Sequence, residues 1–196
     1  MKSNRKKSLL ALLLCFVLCL SFAACGDKAD ETDDSDVVSD IKKSSAGGSD
    51  ITLPEGFVMP ESANKMEAVL AGDAYEGVIY LSGYRSSNYV FINGASLTLE
   101  ANLYLTDANG EGVKTDYQDV KVALWEKGTN EAVYKDTIHF TADGTNQSYT
   151  FDGLKAGGEY RISITYSDVP KYRVNGKFRL TSVSATGSTE ETAAEE

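Results

Sequence analysis

Leu97, Leu99, Ala101, Leu103 and Leu105 alternate with Thr98, Glu100, Asn102, Tyr104 and Thr106. A period of two sustained this long describes a strand with one buried and one wet face. Tyr160, Ile162, Ile164 and Tyr166 alternate with Arg161, Ser163 and Thr165 in the same way. Shorter runs predict strands over 77–81, 89–92, 120–125, 133–140, 148–151 and 172–180. Turn residues punctuate them, as in Asp107-Ala-Asn-Gly110 and Ala142-Asp-Gly144. One segment reads two ways: Ser62 would cap a helix over 63–71 ended by Gly72, yet Met66, Val69 and Leu70 equally begin a strand. About eight short strands, without alternating long helices, predict an all-β antiparallel β-sandwich over residues 51–185.

Turn chemistry adds a register. A two-residue turn at Asn93-Gly94 pairs Ile92 with Ala95 and Val90 with Leu97, so Val90, Ile92, Ala95, Leu97 and Leu99 share one apolar face. The same turn at Asn175-Gly176 pairs Val174 with Lys177 and Arg173 with Phe178, which mixes the faces. That site therefore reads as a bulge, a longer loop or an edge pairing.

The ends of the chain differ in kind from its middle. Lys2, Arg5, Lys6 and Lys7 precede an apolar run over 8–22 and the small pair Ala23-Ala24, the order of a secretory signal peptide over 1–24. The run is shorter than the about 20 apolar residues of a membrane span. Residues 26–50 carry eight acids against Lys28, Lys42 and Lys43 and contain no aromatic, so 25–50 reads as an acidic, disordered linker. As a flexible coil it would span about 25 to 30 Å on average. Residues 186–196, with Glu190, Glu191, Glu195 and Glu196, read as a disordered acidic tail.

The chain carries a formal charge of −10. The sandwich segment keeps −5 of it, which excludes the basic footprint of nucleic-acid binding.

Cys15 and Cys19 lie inside the signal segment, leaving Cys25 as the sole cysteine of an exported chain, with no internal disulfide to form. Phe22-Ala-Ala-Cys25 resembles a bacterial lipobox. The resemblance implies a diacylglyceryl group on Cys25, cleavage before it, and anchoring to the outer face of a bacterial cell membrane. Two or more acyl chains, at about 0.8 kcal/mol per buried methylene, anchor stably where one does not.

The sandwich segment carries resemblances of its own. Asp119-Val-Lys-Val-Ala-Leu-Trp125, Thr141-Ala-Asp-Gly144 and Tyr149-Thr-Phe-Asp-Gly-Leu154 through Ile164 resemble the Cna-B or prealbumin-like modules of bacterial surface proteins. Many of those carry an isopeptide crosslink assisted by a glutamate in the strand after the Gly-x-Tyr motif; here that strand, Ile162 to Tyr166, has no acid. Tyr89-Val-Phe91, Gly94 to Leu99 and 172–180 resemble pre-peptidase C-terminal-type jelly rolls, and Leu154-x-x-Gly157-x-x-Tyr160 resembles the tyrosine corner of fibronectin type III domains. Each resemblance implies an Ig-like, prealbumin-like or jelly-roll sandwich, and none names a ligand.

Catalytic chemistry finds little support. The one histidine, His139, sits on the outward face of its strand, where a solvated residue is the simpler reading. The sequence has no Gly-x-Ser-x-Gly turn and no His/Glu metal motif. Asp107, Glu111, Asp116 and Asp119 flank turn residues rather than forming a carboxylate pair suited to glycoside hydrolysis. Asp107 to Glu111 lacks the EF-hand spacing and reads as a turn rather than a calcium loop. No cofactor and no metal are expected.

Binding chemistry is better represented. Trp125 and Tyr104 are out of phase with their buried neighbours, so both face outward and either form a flat platform for sugar or protein, or are covered by 56–89 as a second buried layer. Tyr84, Arg85, Asn88 and Tyr89 sit in a Ser-rich loop suited to presenting a surface. Lys171, Arg173, Lys177 and Arg179 read either as guards of an exposed edge strand or as an anion patch for wall polymer or phospholipid. The sequence thus predicts a lipid-anchored surface lipoprotein presenting a non-enzymatic β-sandwich to a surface protein. A carbohydrate-binding module for cell-wall glycan is the alternative, and an unrecognised hydrolase comes third.

Overall fold

The computed structural model describes residues 41–167 and 169–184. The described residues hold twelve strands: β1 (Ser45–Ala46), β2 (Lys65–Ala71), β3 (Ala74–Leu81), β4 (Gly83–Ser86), β5 (Val90–Ile92), β6 (Leu97–Thr106), β7 (Asp119–Lys127), β8 (Ala132–Thr141), β9 (Asp143–Phe151), β10 (Glu159–Tyr166), β11 (Arg173–Thr181) and β12 (Val183–Ser184). Their pairings are antiparallel and build two sheets, ordered β1-β9-β6-β11-β3-β2 and β12-β5-β10-β7-β8, with β4 also beside β10. The antiparallel sandwich expected from the alternation is the fold. Leu97, Leu99, Leu103 and Leu105 of the first sheet meet Val122, Leu124, Ile162 and Ile164 of the second in one apolar core. All eight side chains are 1% exposed or less, and each is worth about 1.5–3 kcal/mol of burial.

Four expectations change. The ambiguous segment is strand β2, not a helix: Met66, Ala68 and Leu70 pack on the core at period two, and Gly72 at φ 63° turns the chain so that Ala71 pairs with Ala74. No hairpin forms at Asn93-Gly94, because β5 pairs with β10 and β12 while β6 belongs to the other sheet. Val90, Ile92, Leu97 and Leu99 do share one buried interior, but from opposite walls, and Ala95 is exposed in the crossing. The chain through Asn175-Gly176 is neither turn nor edge: β11 runs unbroken between β6 and β3 at the centre of its sheet. Finally, the sandwich begins inside the predicted linker. β1 pairs with β9, and the backbone of Lys42 and Ser44 bonds His139 on β8. Cys25, the signal segment and the acidic tail lie outside the described residues.

The turn before β10 is held by Tyr160. Its hydroxyl accepts the Lys155 N–H at 2.9 Å from a ring that is fully buried, while Leu154 and Gly157 donate to Ala95 and Ile92. A tyrosine whose hydroxyl bonds backbone a few residues upstream is the feature that the resemblance at Leu154-x-x-Gly157-x-x-Tyr160 implies. Tyr160→Phe is expected to lower stability by about 1 kcal/mol, the net worth of one such bond, without changing the denaturant dependence. A urea midpoint equal to wild type would contradict this role.

Candidate functional site

The two outer faces of the sandwich are finished differently. On the first sheet, Ile51 and Val78 are buried outside the main core, where the segment after Asp50 lies across the strands and the Lys177 ammonium meets the Ile51 carbonyl at 3.5 Å. Arg179 on the same face bonds Glu76 and Glu100. A hollow of about 610 Å³ there is lined by Phe57, Met59, Asn102, Asn146 and Lys177. Its amides are already satisfied: Asn102 donates to the Gly144 carbonyl and to Asn146, and Asn146 to Asp50, each at 2.8 Å.

The outer face of the second sheet carries a shallow groove of about 430 Å³, lined by Tyr84, Arg85, Ser86, Ala123, Trp125, Arg161, Ser163 and Thr165. Its floor is small and polar because alternate residues of β10 and β7 place Ser163, Thr165 and Ala123 outward while Ile162, Ile164 and Leu124 face the core. The Ser86 and Ser163 hydroxyls bond across β4 and β10 at 2.6 Å. Trp125 stands at one end, with Arg161 directly across from it on β10.

A β-bulge places a second aromatic ring beside Trp125. Between Leu124 and Trp125 the register of β7 and β8 shifts, so that Asp136 faces Leu124 but Tyr134 faces Trp125. The extra residue, Lys135, turns Tyr134 onto the outer face, a usual use of bulges beside functional sites. The two rings meet edge-on with centroids 5.6 Å apart, a geometry worth about 0.5–1.5 kcal/mol beyond area. Tyr134 is 53% exposed and Tyr84 63%. The Tyr89 ring lies 4.9 Å from the Arg161 guanidinium and 5.8 Å from the Lys127 ammonium. Among the described residues, neither the Trp125 Nε1 nor the Arg161 Nε has a hydrogen-bond partner.

Arg85 is positioned by a turn. Asn64, at φ 67°, accepts the Ser82 N–H on its side chain and takes the Arg85 Nε–H on its backbone carbonyl at 2.6 Å. Asn is among the few residues that tolerate this conformation.

The predicted site residues separate. Trp125, Tyr84 and Arg85 line one groove, and Tyr89 adjoins it through Arg161. Tyr104 is outward and 38% exposed, but on β6 in the other sheet, so it shares no platform with Trp125. Lys171, Arg173, Lys177 and Arg179 guard no edge, since β11 is central, and they act separately. Arg179 is ion-paired, Arg173 donates to the Pro170 and Tyr172 carbonyls, Lys177 faces Ile51, and Lys171 lies over Tyr172. His139 is not simply solvated: its Nδ1 lies 2.8 Å from Asp119 Oδ1, and Lys42 and Ser44 bond its backbone. Sequence reasoning misses Tyr134 and Arg161. Asp136, a charge at an inward step of the alternation leading to Ile138 and Phe140, is the one signal of the bulge.

Asp107 is held below the usual carboxylate range by the N–H groups of Glu111 and Asn109. This is a self-bonded turn. Among the described residues no cluster of three or more His, Cys, Asp or Glu is placed to hold a metal. Asp143 is also lowered: burial opposes ionisation, but the Thr145 hydroxyl and N–H and the Gln147 amide outweigh it. A depressed carboxylate stabilises the fold above its unfolded value near 3.8 and loses that contribution as pH falls through the folded value. Asp143→Asn is therefore expected to flatten the decline of the unfolding midpoint below about pH 4, with little change at neutrality. An unchanged acid limb would contradict the assignment.

No protein-family model matches the sequence, and no curated protein matches it. Among solved structures, a carbohydrate-binding module of family 36 in complex with calcium and xylotriose aligns over 63% of this chain and 92% of its own. It does so at 14% identity and a TM-score of 0.30. A point mutant of a carbohydrate-binding module of family 29 aligns over 72% of this chain and 87% of its own, at 18% identity and a TM-score of 0.29. Superpositions this loose carry no argument about what this chain binds.

Proposed function

We propose that this protein is a lipid-anchored bacterial surface lipoprotein whose sandwich is a non-catalytic glycan-binding module, with the sugar lying in the groove on the second sheet. The observation that supports the reading best is Trp125, braced edge-on by Tyr134, at the end of a floor of Ser86, Ser163 and Thr165. Aromatic rings take the apolar face of a pyranose while hydroxyls meet its rim. The Cys25 lipid would fix the chain at the membrane, and the acidic linker would let the module search at raised effective concentration. Recruitment of a partner strand along 171–180, which would favour a protein ligand, finds no free edge there because β11 is paired on both sides. Retention of the full chain on insoluble polysaccharides tests the proposal. Retention by at least one glycan, released by the soluble form of that glycan, is expected; passage through every matrix would contradict it.

A further inference from the structure

Charge on the strands of the second sheet is unevenly matched. Every carboxylate of β7, β8 and β10 has a partner: Glu159 with Lys127 at 2.7 Å, Glu126 with Lys135 at 3.0 Å, Asp136 with Lys42 at 2.7 Å, and Asp119 with His139 at 2.8 Å. The cations in and beside the groove are not so matched. Arg161 stacks on Tyr89, and among the described residues neither it nor Lys121, which pairs with the groove residue Thr165, has a carboxylate partner. Among the described residues Arg85 donates only to the carbonyls of Asn64 and Tyr84. Among the described residues the groove lining contains two arginines and no acid, on a sandwich segment of net charge −5.

We infer that the groove selects a glycan whose pyranose rings carry carboxylates, with Arg161 receiving the carboxylate of the ring that stacks on Trp125; this rests on the glycan reading above. Arg161 is the direct cross-strand partner of Trp125, and neighbouring strands lie about 5 Å apart. That spacing matches a ring and the carboxylate one bond outside it. The guanidinium fork suits a planar carboxylate in two-point contact. The overall acidity of the chain is no obstacle, because charges more than about 8 Å away are largely screened at physiological ionic strength.

The test titrates the full chain with polygalacturonate, alginate and hyaluronan, each beside its carboxyl-reduced form, and with dextran sulfate. At least one acidic polymer is expected to bind ten times or more tighter than its reduced counterpart, and more weakly as salt rises. Arg161→Gln should remove that preference and Lys121→Gln reduce it about threefold, both with wild-type unfolding midpoints. If acidic and reduced forms bind equally and Trp125→Ala abolishes both, the carboxylate selection is wrong and the glycan groove stands. Dextran sulfate binding as tightly as the polyuronates, unaffected by Trp125→Ala, would reduce the effect to bulk charge and overturn the inference. Failure of every sugar to bind removes both readings together.

Discussion

Trp125→Ala is expected to weaken glycan binding by about thirtyfold or more while leaving the protein folded. Aromatic anchors at the centre of a binding surface contribute about 2 kcal/mol or more when truncated, and each 1.4 kcal/mol is about a factor of ten in affinity. Trp125 is the only tryptophan and forms one end of the groove, with Tyr134 edge-on against it. Removing the indole takes away the stacking face and releases Tyr134 from its orientation. The fold tolerates the change because Trp125 points away from the core that its neighbour Leu124 enters. Calorimetric titration beside thermal unfolding separates the two effects. Affinity within twofold of wild type would contradict the placement of the sugar.

Gly176→Ala should give the largest loss of stability. Gly176 lies mid-strand in β11, opposite Leu103 on one side and Ile79 on the other. A Cβ there would overlap the Asn102 carbonyl oxygen and come within 2.9 Å of the Leu103 Cα, both fixed backbone of β6. No rotamer relieves a clash with backbone, so β6 and β11 must part and loosen the ladder at the middle of the first sheet. Overpacking typically costs about 1–3 kcal/mol, and more where nothing can yield. A loss of about 3 kcal/mol or more is expected, a large part of the roughly 5–15 kcal/mol by which domains are stable. Urea unfolding, or loss of soluble protein, reads it; a wild-type midpoint would show that the strands separate at no cost.

The same glycine shows where sequence reading stops. Asn-Gly is a strong turn signal, yet at Asn175-Gly176 the glycine answers a close approach between strands, and at Asn93-Gly94 the chain changes sheet. Alternation reports which side of a strand is buried, not which strand lies beside it, so it places Val90 and Leu97 rightly against one core while turn chemistry wrongly pairs them with each other. Strands β6 and β10 are legible because apolar alternation sustained along a whole strand fits the period of two and not the 3.6 of a helix. Of the groove, Trp125 is legible from its phase, and Tyr84, Arg85 and Tyr89 from loop chemistry. Tyr134 is hidden by a bulge that reverses the facing of its segment. Tyr104 shows the same phase signal as Trp125 yet lies on the other sheet, because phase distinguishes inward from outward but not one outer surface from the other.

Tryptophan fluorescence of the full chain during glycan titration tests the central claim most directly, since emission from the one indole reports the groove alone. A glycan retained by the protein is expected to shift Trp125 emission saturably and shield it from a soluble quencher, with the same midpoint as the binding isotherm. A glycan that binds while emission and quenching stay unchanged would place the sugar elsewhere and contradict the account.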